Sequence, residues 1–414
     1  MGDPPPAFES ALRRVLLAVT LVLPCLLGFL TTYLLLILLL VALAYSLLVG
    51  YRRGFIVRFD VTSWWLLVGW LILAGVNTID ALAAGQPHDI VYAIDFGMLL
   101  LYAPLATLYE RAAGPSNAAR LADLALSGVV LSALFAIVDE LIYHPDRAGF
   151  FVNNDPIRLG DTTLILGFLA LMGVVAHTGW RRWIYFAGPV LAVLVGLLTG
   201  ARSALLVFPA LAILAAAFLI RQRMIATLIG GAAVALFGLV ATLAIVFHDE
   251  RVTSVIQIAR GAFGGGDVAD EATRQRFALY EAGAEVFGQS PILGVGWHRR
   301  MDAVADRLPD ADKVLAALPH LHNEVLNFAV GLGLAGVFAY VVLLAAPIVG
   351  LWRSPRDTQY PLRRYGVALI VVSFVLLGLA DVMLGFETHT ALYVAWVAAI
   401  LGLCLDRPTA SAAG

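Results

Sequence analysis

His320 and His322 stand two residues apart where a long polar stretch re-enters an apolar run, and Asn323 follows directly. Imidazole, with a reference pKa of about 6.5, is the usual general base near neutral pH. A metal pair is the second reading, but residues at i and i+2 do not share a helix face. No Cys or carboxylate stands at a spacing that completes an obvious site. The plainest reading is a structural, hydrogen-bonding histidine, and spacing alone does not separate it from the base.

The candidate cations are arginines. Arg202, in Thr199-Gly-Ala-Arg202-Ser203, sits in a tight turn. It either snorkels at a helix end or binds an anion, since Arg near apolar surroundings costs on the order of 2.5–3.5 kcal/mol unless paired. Arg274 and Arg276 lie two apart on a probable helix, so they point in different directions and need not act together. Each is either a solvated residue or a diphosphate ligand, for which the planar guanidinium fork is well suited. Asp310-Ala-Asp312 has the spacing of a divalent-ion site in many sugar transferases, but three residues in an Asp-rich loop are a weak signal and a solvated acidic turn is the favoured reading. Asp80, Asp89 and Asp95 are either polar helix ends or catalytic acids. The glycines at 264–266 lack the Gly-Lys-Ser/Thr ending of a phosphate loop, which disfavours nucleotide binding.

These residues are set in a very apolar chain. Of 414 residues, 61% are hydrophobic and 14% charged, with a mean hydropathy of +0.89. That exceeds what a soluble core of this size buries, and a net charge of -2 excludes a basic nucleic-acid binder. The expected fold is an all-α polytopic membrane protein. Spans need roughly 20 apolar residues, and runs near that length lie at 15–30, 33–50, 62–80, 91–109, 121–143, 160–178, 183–200, 203–220, 224–247, 323–350, 365–386 and 389–406. About twelve transmembrane helices follow, nine in 1–247 and three in 323–406, with a loop domain at 248–322 and a tail at 407–414. Thr31-Thr32 is the expected turn between the first two. Arg13 and Arg14 precede an apolar run with no small-residue cleavage site after it, so an uncleaved first helix is expected. Cys25 and Cys404 both fall inside spans, which argues against a disulfide.

Alternate connecting segments hold sixteen of the 27 basic residues, among them Arg13, Arg52, Arg111, Arg181, Arg221, Arg353 and Arg407. Short loops rich in Lys and Arg stay cytoplasmic, so both termini are expected inside and the long loop outside. That loop, 248–322, has 75 residues, against roughly 2–8 for an ordinary helix connection. It is expected to be partly helical: a membrane-surface helix from Arg251 to Phe263, a break from Gly264 to Asp267, and an amphipathic helix from Glu271 to Phe287. The apolar face of that helix would carry Ala272, Phe277, Tyr280, Ala284 and Phe287. A turn from Pro291 to Trp297 and a second polar helix near 301–317 complete it.

His322-Asn323, nine residues, then Gly333-Leu-Ala-Gly336 resembles the signature of the O-antigen ligases. Arg276-Phe-Ala-Leu-Tyr280 and Pro291-Ile-Leu-Gly-Val-Gly296 are similar to the Arg-x-x-x-Trp and Pro-x-x-Gly-x-Gly elements ahead of that histidine, with Tyr280 where Trp is common. Arg202 matches a third position. The resemblance implies transfer of a finished polysaccharide from undecaprenyl diphosphate to a sugar hydroxyl of the lipid A core, at the periplasmic face of the bacterial inner membrane. Membrane lipids surround it, and no cofactor, no metal and no nucleic acid take part. His322 would be the general base of a single, inverting displacement. Arg202, Arg276 and Arg274 would bind the diphosphate, and His320, Asn323, Tyr280 and Trp297 would orient substrate. Glu387 and His389, at the last outward turn, are further candidates for the acceptor.

Three alternatives stay open. An O-antigen polymerase usually has a second sizeable outward loop, whereas 144–159 is short. A protein O-oligosaccharyltransferase usually has more chain after the last span. A lipid-linked glycan transporter would place broken or polar helices at mid-membrane, not at the outer face.

Overall fold

Large apolar side chains cover much of the surface of the described residues, and the apolar interior also holds polar side chains. The computed structural model describes residues 7–28, 30–45, 47–48, 56–143, 147–149, 155–233, 236 and 271–406, which hold helices and no strand. On Leu30–Tyr45 the exposed side chains include Tyr33, Ile37 and Leu40, one helical turn apart, and on Val61–Ala83 they include Trp64, Val68, Leu71, Ile79 and Leu82. Thr62, Asn77, Ser132, Asp161, Glu324, Asn327 and Arg363 are buried. A surface so apolar demands an apolar solvent. Among the described residues eight helices are long and apolar enough to span a membrane, and Leu30–Tyr45 and Glu387–Leu403 are shorter apolar helices. This is an all-α, multi-pass membrane protein.

The span boundaries agree closely with the run lengths in most places. The turn expected at Thr31-Thr32 instead falls at Gly28, whose φ of 49° suits glycine. Thr32 is helical and its hydroxyl meets that of Thr388 at 2.7 Å. The run at 365–386 ends as a helix at Gly378, leaving 379–386 as a connection before Glu387. The second half of the run at 224–247, the surface helix at 251–263, the break at 264–267 and the tail at 407–414 lie outside the described residues. Cys25 and Cys404 are buried free thiols.

Helix ends that the charge pattern assigns to one side do meet one another. Arg299 pairs with Asp80 and approaches Asp89 at 3.6 Å, and Arg147 donates to the Thr199 carbonyl at 2.8 Å. On the other side Arg111 pairs with Glu9 at 3.0 Å, and Asn117 donates to the Leu403 carbonyl at 3.2 Å.

The described part of the long connection has its own small core. Leu279, Ala282, Val286, Met301, Val304, Leu308, Leu315 and Leu321 pack there with Val330 of the next span. The helix Glu271–Gln289 forms as expected, but it buries Leu279, Ala282, Gly283 and Val286, while Phe277 is exposed. Small residues explain the rotation: a Cβ on Gly283 would stand 3.0 Å from Leu326. The second polar helix divides at Pro309 into Arg300–Ala305 and Asp310–Ala317, as expected of a residue without a backbone N–H.

The helix Glu324–Arg353 is broken at Gly333 (φ 63°, ψ -159°). An unbroken α-helix would bond Leu334 N–H to the Val330 carbonyl and Ala335 N–H to that of Gly331. Here Leu334 and Ala335 donate to the Pro291 and Ile292 carbonyls at 2.8 and 3.3 Å, while Val295 and Gly296 donate to the carbonyls of Val330 and Gly331 at 3.0 and 2.9 Å. The 291–296 turn thus replaces the two missing helix bonds with four of its own. Only glycine permits the approach, since a Cβ on Gly333 would lie 2.3 Å from the Ile292 backbone and one on Gly294 2.5 Å from that of Gly331.

Gly333→Ala should therefore lower the thermal unfolding temperature in detergent, with positive φ alone costing about 1–3 kcal/mol. Gly288→Ala, where a Cβ would meet nothing within 4 Å, should leave it unchanged.

Candidate active site

The 291–296 turn delivers Trp297 into the packed interior between helices rather than to an open face. Its ring packs on Phe96 (4.8 Å) and Phe328 (5.3 Å) and is 3% exposed. Arg300, one helical turn on, lies over that ring at 4.0 Å. Its guanidinium donates to the Trp297 carbonyl, to Asn327 Oδ1 at 2.9 Å and to the Pro319 carbonyl at 3.1 Å. Burial pushes this guanidinium down to about 10, so it stays charged. Arg300 and Asn327 together fix the strand that carries His320 to His322.

His322 has φ 51°, a strained conformation for a side chain of this kind. Tyr280 holds it by donating to the His322 carbonyl at 2.8 Å, and the His322 N–H meets His320 Nδ1 at 3.3 Å. The unexpected partner is Asp381. Its Oδ1 lies 3.4 Å from His322 Nδ1 and 3.6 Å from His320 Nε2. These separations exceed formed hydrogen bonds, and both Asp381 Oδ1 and His322 Nδ1 are buried without one. Catalytic pairs often stand apart in this way until substrate tightens them.

Asn323 and Glu324 clamp the connection that carries Asp381. Asn323 Oδ1 caps the Glu324–Arg353 helix by accepting from Leu326 N–H at 3.0 Å, and its Nδ2 donates to the Leu379 carbonyl at 3.3 Å. The fully buried Glu324 Oε1 accepts from the backbone N–H groups of Met383 (3.0 Å), Leu384 and Gly385 (2.9 Å). A buried carboxylate demands such partners. The loop is thus gripped on both sides of Asp381 by the two residues after His322.

Burial works against ionisation of Asp381, but the His322 contact and the charges of His320, His322 and Arg158 hold its carboxyl down at about 2. Burial pushes the His320 imidazole down to about 4, with Asp381 opposing. At neutral pH the cluster therefore pairs an ionised Asp381 with a neutral His320. Arg158, largely buried on Pro156–Ala176, covers the Phe386 ring, lies 3.8 Å from Asp155 and feels Asp381, Glu387 and Asp161.

The other candidates fall out unevenly. Arg276 acts on Tyr280, whose hydroxyl donates to the His322 carbonyl. Arg202 begins the helix Arg202–Arg221, and its neighbour Ser203 donates to Asp161 at 3.0 Å. Arg274 is turned toward Asp312, to which it makes two bonds of 2.8 and 3.2 Å. Asp312 is buried and Asp310 exposed. His389 is buried on Glu387–Ala398, 3.5 Å from Thr162 Oγ1, and Glu387 lies within electrostatic reach of Asp95 and Arg158. Sequence spacing missed Asp381 and Arg158. The one signal was an Asp inside an apolar run, which is costly unless it has a partner.

The unfolded chain takes up a proton at His320 near pH 6.5, whereas the folded chain does so only near 4. This residue's contribution to stability is therefore complete above pH 6.5 and lost as pH falls toward 4, on the order of 3 kcal/mol. Unfolding temperature, measured with EDTA present, should drop across that window, and His320→Gln should flatten the drop.

Residues 187–341 match the family model described as O-antigen ligase. Over 261 residues the chain is 22% identical to the O-antigen ligase of Escherichia coli (strain K12), a match covering 61% of this chain and 59% of that protein. The chain therefore spans about three fifths of the length of this curated relative. The matched region contains Arg202, Arg276, Tyr280, His320, His322 and both glycines of the broken helix, so the chain is similar to O-antigen ligases over the stretch that carries these residues.

Proposed function

We propose that this protein transfers a glycan from undecaprenyl diphosphate to a sugar hydroxyl of the lipid A core, at the periplasmic face of the bacterial inner membrane with both termini cytoplasmic. The observation that carries this reading is His322 held against a buried Asp381 beside Arg158, at one edge of a membrane-embedded helical body. Asp381 holds the proton of His322 on Nδ1, which leaves Nε2 unprotonated to face the acceptor. The acceptor oxygen attacks the anomeric carbon, its proton passes to Nε2, and the bond from that carbon to the diphosphate oxygen breaks on the opposite side. The configuration inverts, and Asp381 stabilises the imidazolium.

No nucleotide, cofactor or metal takes part. The leaving diphosphate gains charge as the bond breaks, and preorganised guanidinium groups act on that charge more in the transition state than before it. Arg202 and Arg276 serve this role. Arg274 drops out because Asp312 engages it. Both lipid substrates keep their tails in the bilayer, which accounts for a site at the membrane edge.

The test is transfer in proteoliposomes supplied with undecaprenyl diphosphate-linked glycan and lipid A core, in EDTA. Wild type should give product, and His322→Ala should lose about a hundredfold or more. Arg276→Ala should cost a similar order, while Arg274→Ala stays near wild type. Extension of the glycan on its carrier, with no product on lipid A core, would instead establish a polymerase.

A further inference from the structure

We propose that His320, His322 and Asp381 form a binding site for a borderline divalent ion of the Zn2+ type, and that an ion bound there switches transfer off. One donor atom from each of the three residues lies within 4.8 Å of those of the other two. Zinc bonds to imidazole nitrogen and carboxylate oxygen are about 2.0–2.2 Å, so the edges of a tetrahedral ligand set are about 3.3–3.5 Å. The two edges that meet at Asp381 Oδ1 are 3.4 and 3.6 Å. Small ring rotations close the third, since the imidazoles stand edge to face with centroids 4.4 Å apart.

The set is also preorganised. Asp381 and His320 are 3% and 8% exposed, and Glu324 and Asn323 fix the Asp381 loop. The His322 side chain keeps 18% of its surface open, which leaves a coordination position for water. Two imidazoles with one carboxylate select zinc-like ions over the all-oxygen preference of Mg2+ and Ca2+.

Inhibition rests on the proposed role of His322 as base. Ligation through Nδ1 moves the single imidazole proton to Nε2, the atom that has to receive the acceptor's proton. His322 neither gains nor loses a proton, but its free lone pair is used. His320 likewise shifts its proton from Nε2 to Nδ1, which costs the 3.3 Å contact from the His322 N–H.

The experiment uses tag-free full-length protein in nanodiscs, stripped with EDTA and desalted. Titration with Co2+ should give a visible ligand-field band that saturates at one equivalent and is displaced by Zn2+ but not Mg2+. His320→Ala and Asp381→Asn should lose it, with thermal unfolding confirming that they are folded. If neither folds, X-ray absorption at the zinc edge of wild type decides: nitrogen and oxygen donors with imidazole scattering support the site, and sulfur or purely oxygen coordination overturns it. No saturable band in wild type, or the same band in folded Asp381→Asn, also overturns it. One equivalent of Zn2+ should slow transfer about a hundredfold or more, with recovery in EDTA. If zinc occupies the cluster and transfer continues, the inhibitory role falls together with His322 as base, while the ion site stands.

Discussion

Two hydrogen bonds of the longest helix are made by a turn from a different part of the chain, and the geometry of the site depends on that exchange. Breaking Glu324–Arg353 at Gly333 exposes two donors and two acceptors inside an apolar body, where unpaired backbone groups cost several kcal/mol each. The 291–296 turn satisfies all four, and it has to sit in one place to do so. Trp297 is thereby fixed against Phe96 and Phe328, and Arg300 follows on the same short segment, where it grips Pro319 and Asn327. The register of His320 and His322 is thus set by a backbone contact nearly three helical turns away along the helix.

That rigidity supports the strain at His322. A left-handed backbone costs about 1–2 kcal/mol in an ordinary residue, and an exposed loop would relax it. Here the carbonyl is held by Tyr280, the following residue caps a helix, and the next is bound into three backbone N–H groups of the Asp381 loop. Three consecutive residues therefore do different jobs: the proposed chemistry at His322, helix initiation at Asn323, and placement of the Asp381 loop at Glu324.

Much of this was legible in the sequence because it is local. Span positions follow from run length, and the pairing of His322-Asn323 with downstream glycines is a short pattern whose spacing carries its meaning. The helix at 271–289 was also legible, but its buried face was not, because Ala282 and Gly283 contribute close approach rather than apolar bulk. Asp381 was hidden for another reason. Averaged over 365–386, one carboxylate hardly changes hydropathy, so the run looks like a single helix, whereas the chain leaves the helix at Gly378 to place that carboxylate. Its partnership with His322 spans 59 residues of sequence, and no spacing rule connects them. Trp297 shows the same limit: the burial of its ring against Phe96 and Phe328 rests on contacts far apart in the chain.

Charge around the cluster constrains how the proposed substrates would lie. Arg158 feels Asp155, Asp381, Glu387 and Asp161 together, so an anion arriving there would meet more carboxylate than guanidinium. A sugar hydroxyl is suited to the same surroundings, since it donates to carboxylates and accepts from Arg158. Tyr280, which donates to the His322 carbonyl, feels Arg276 and Asp381. The proposed acceptor sugar therefore suits the surroundings of Arg158. A base serving that acceptor has to lie against the attacking hydroxyl, away from the leaving diphosphate, as displacement with inversion requires.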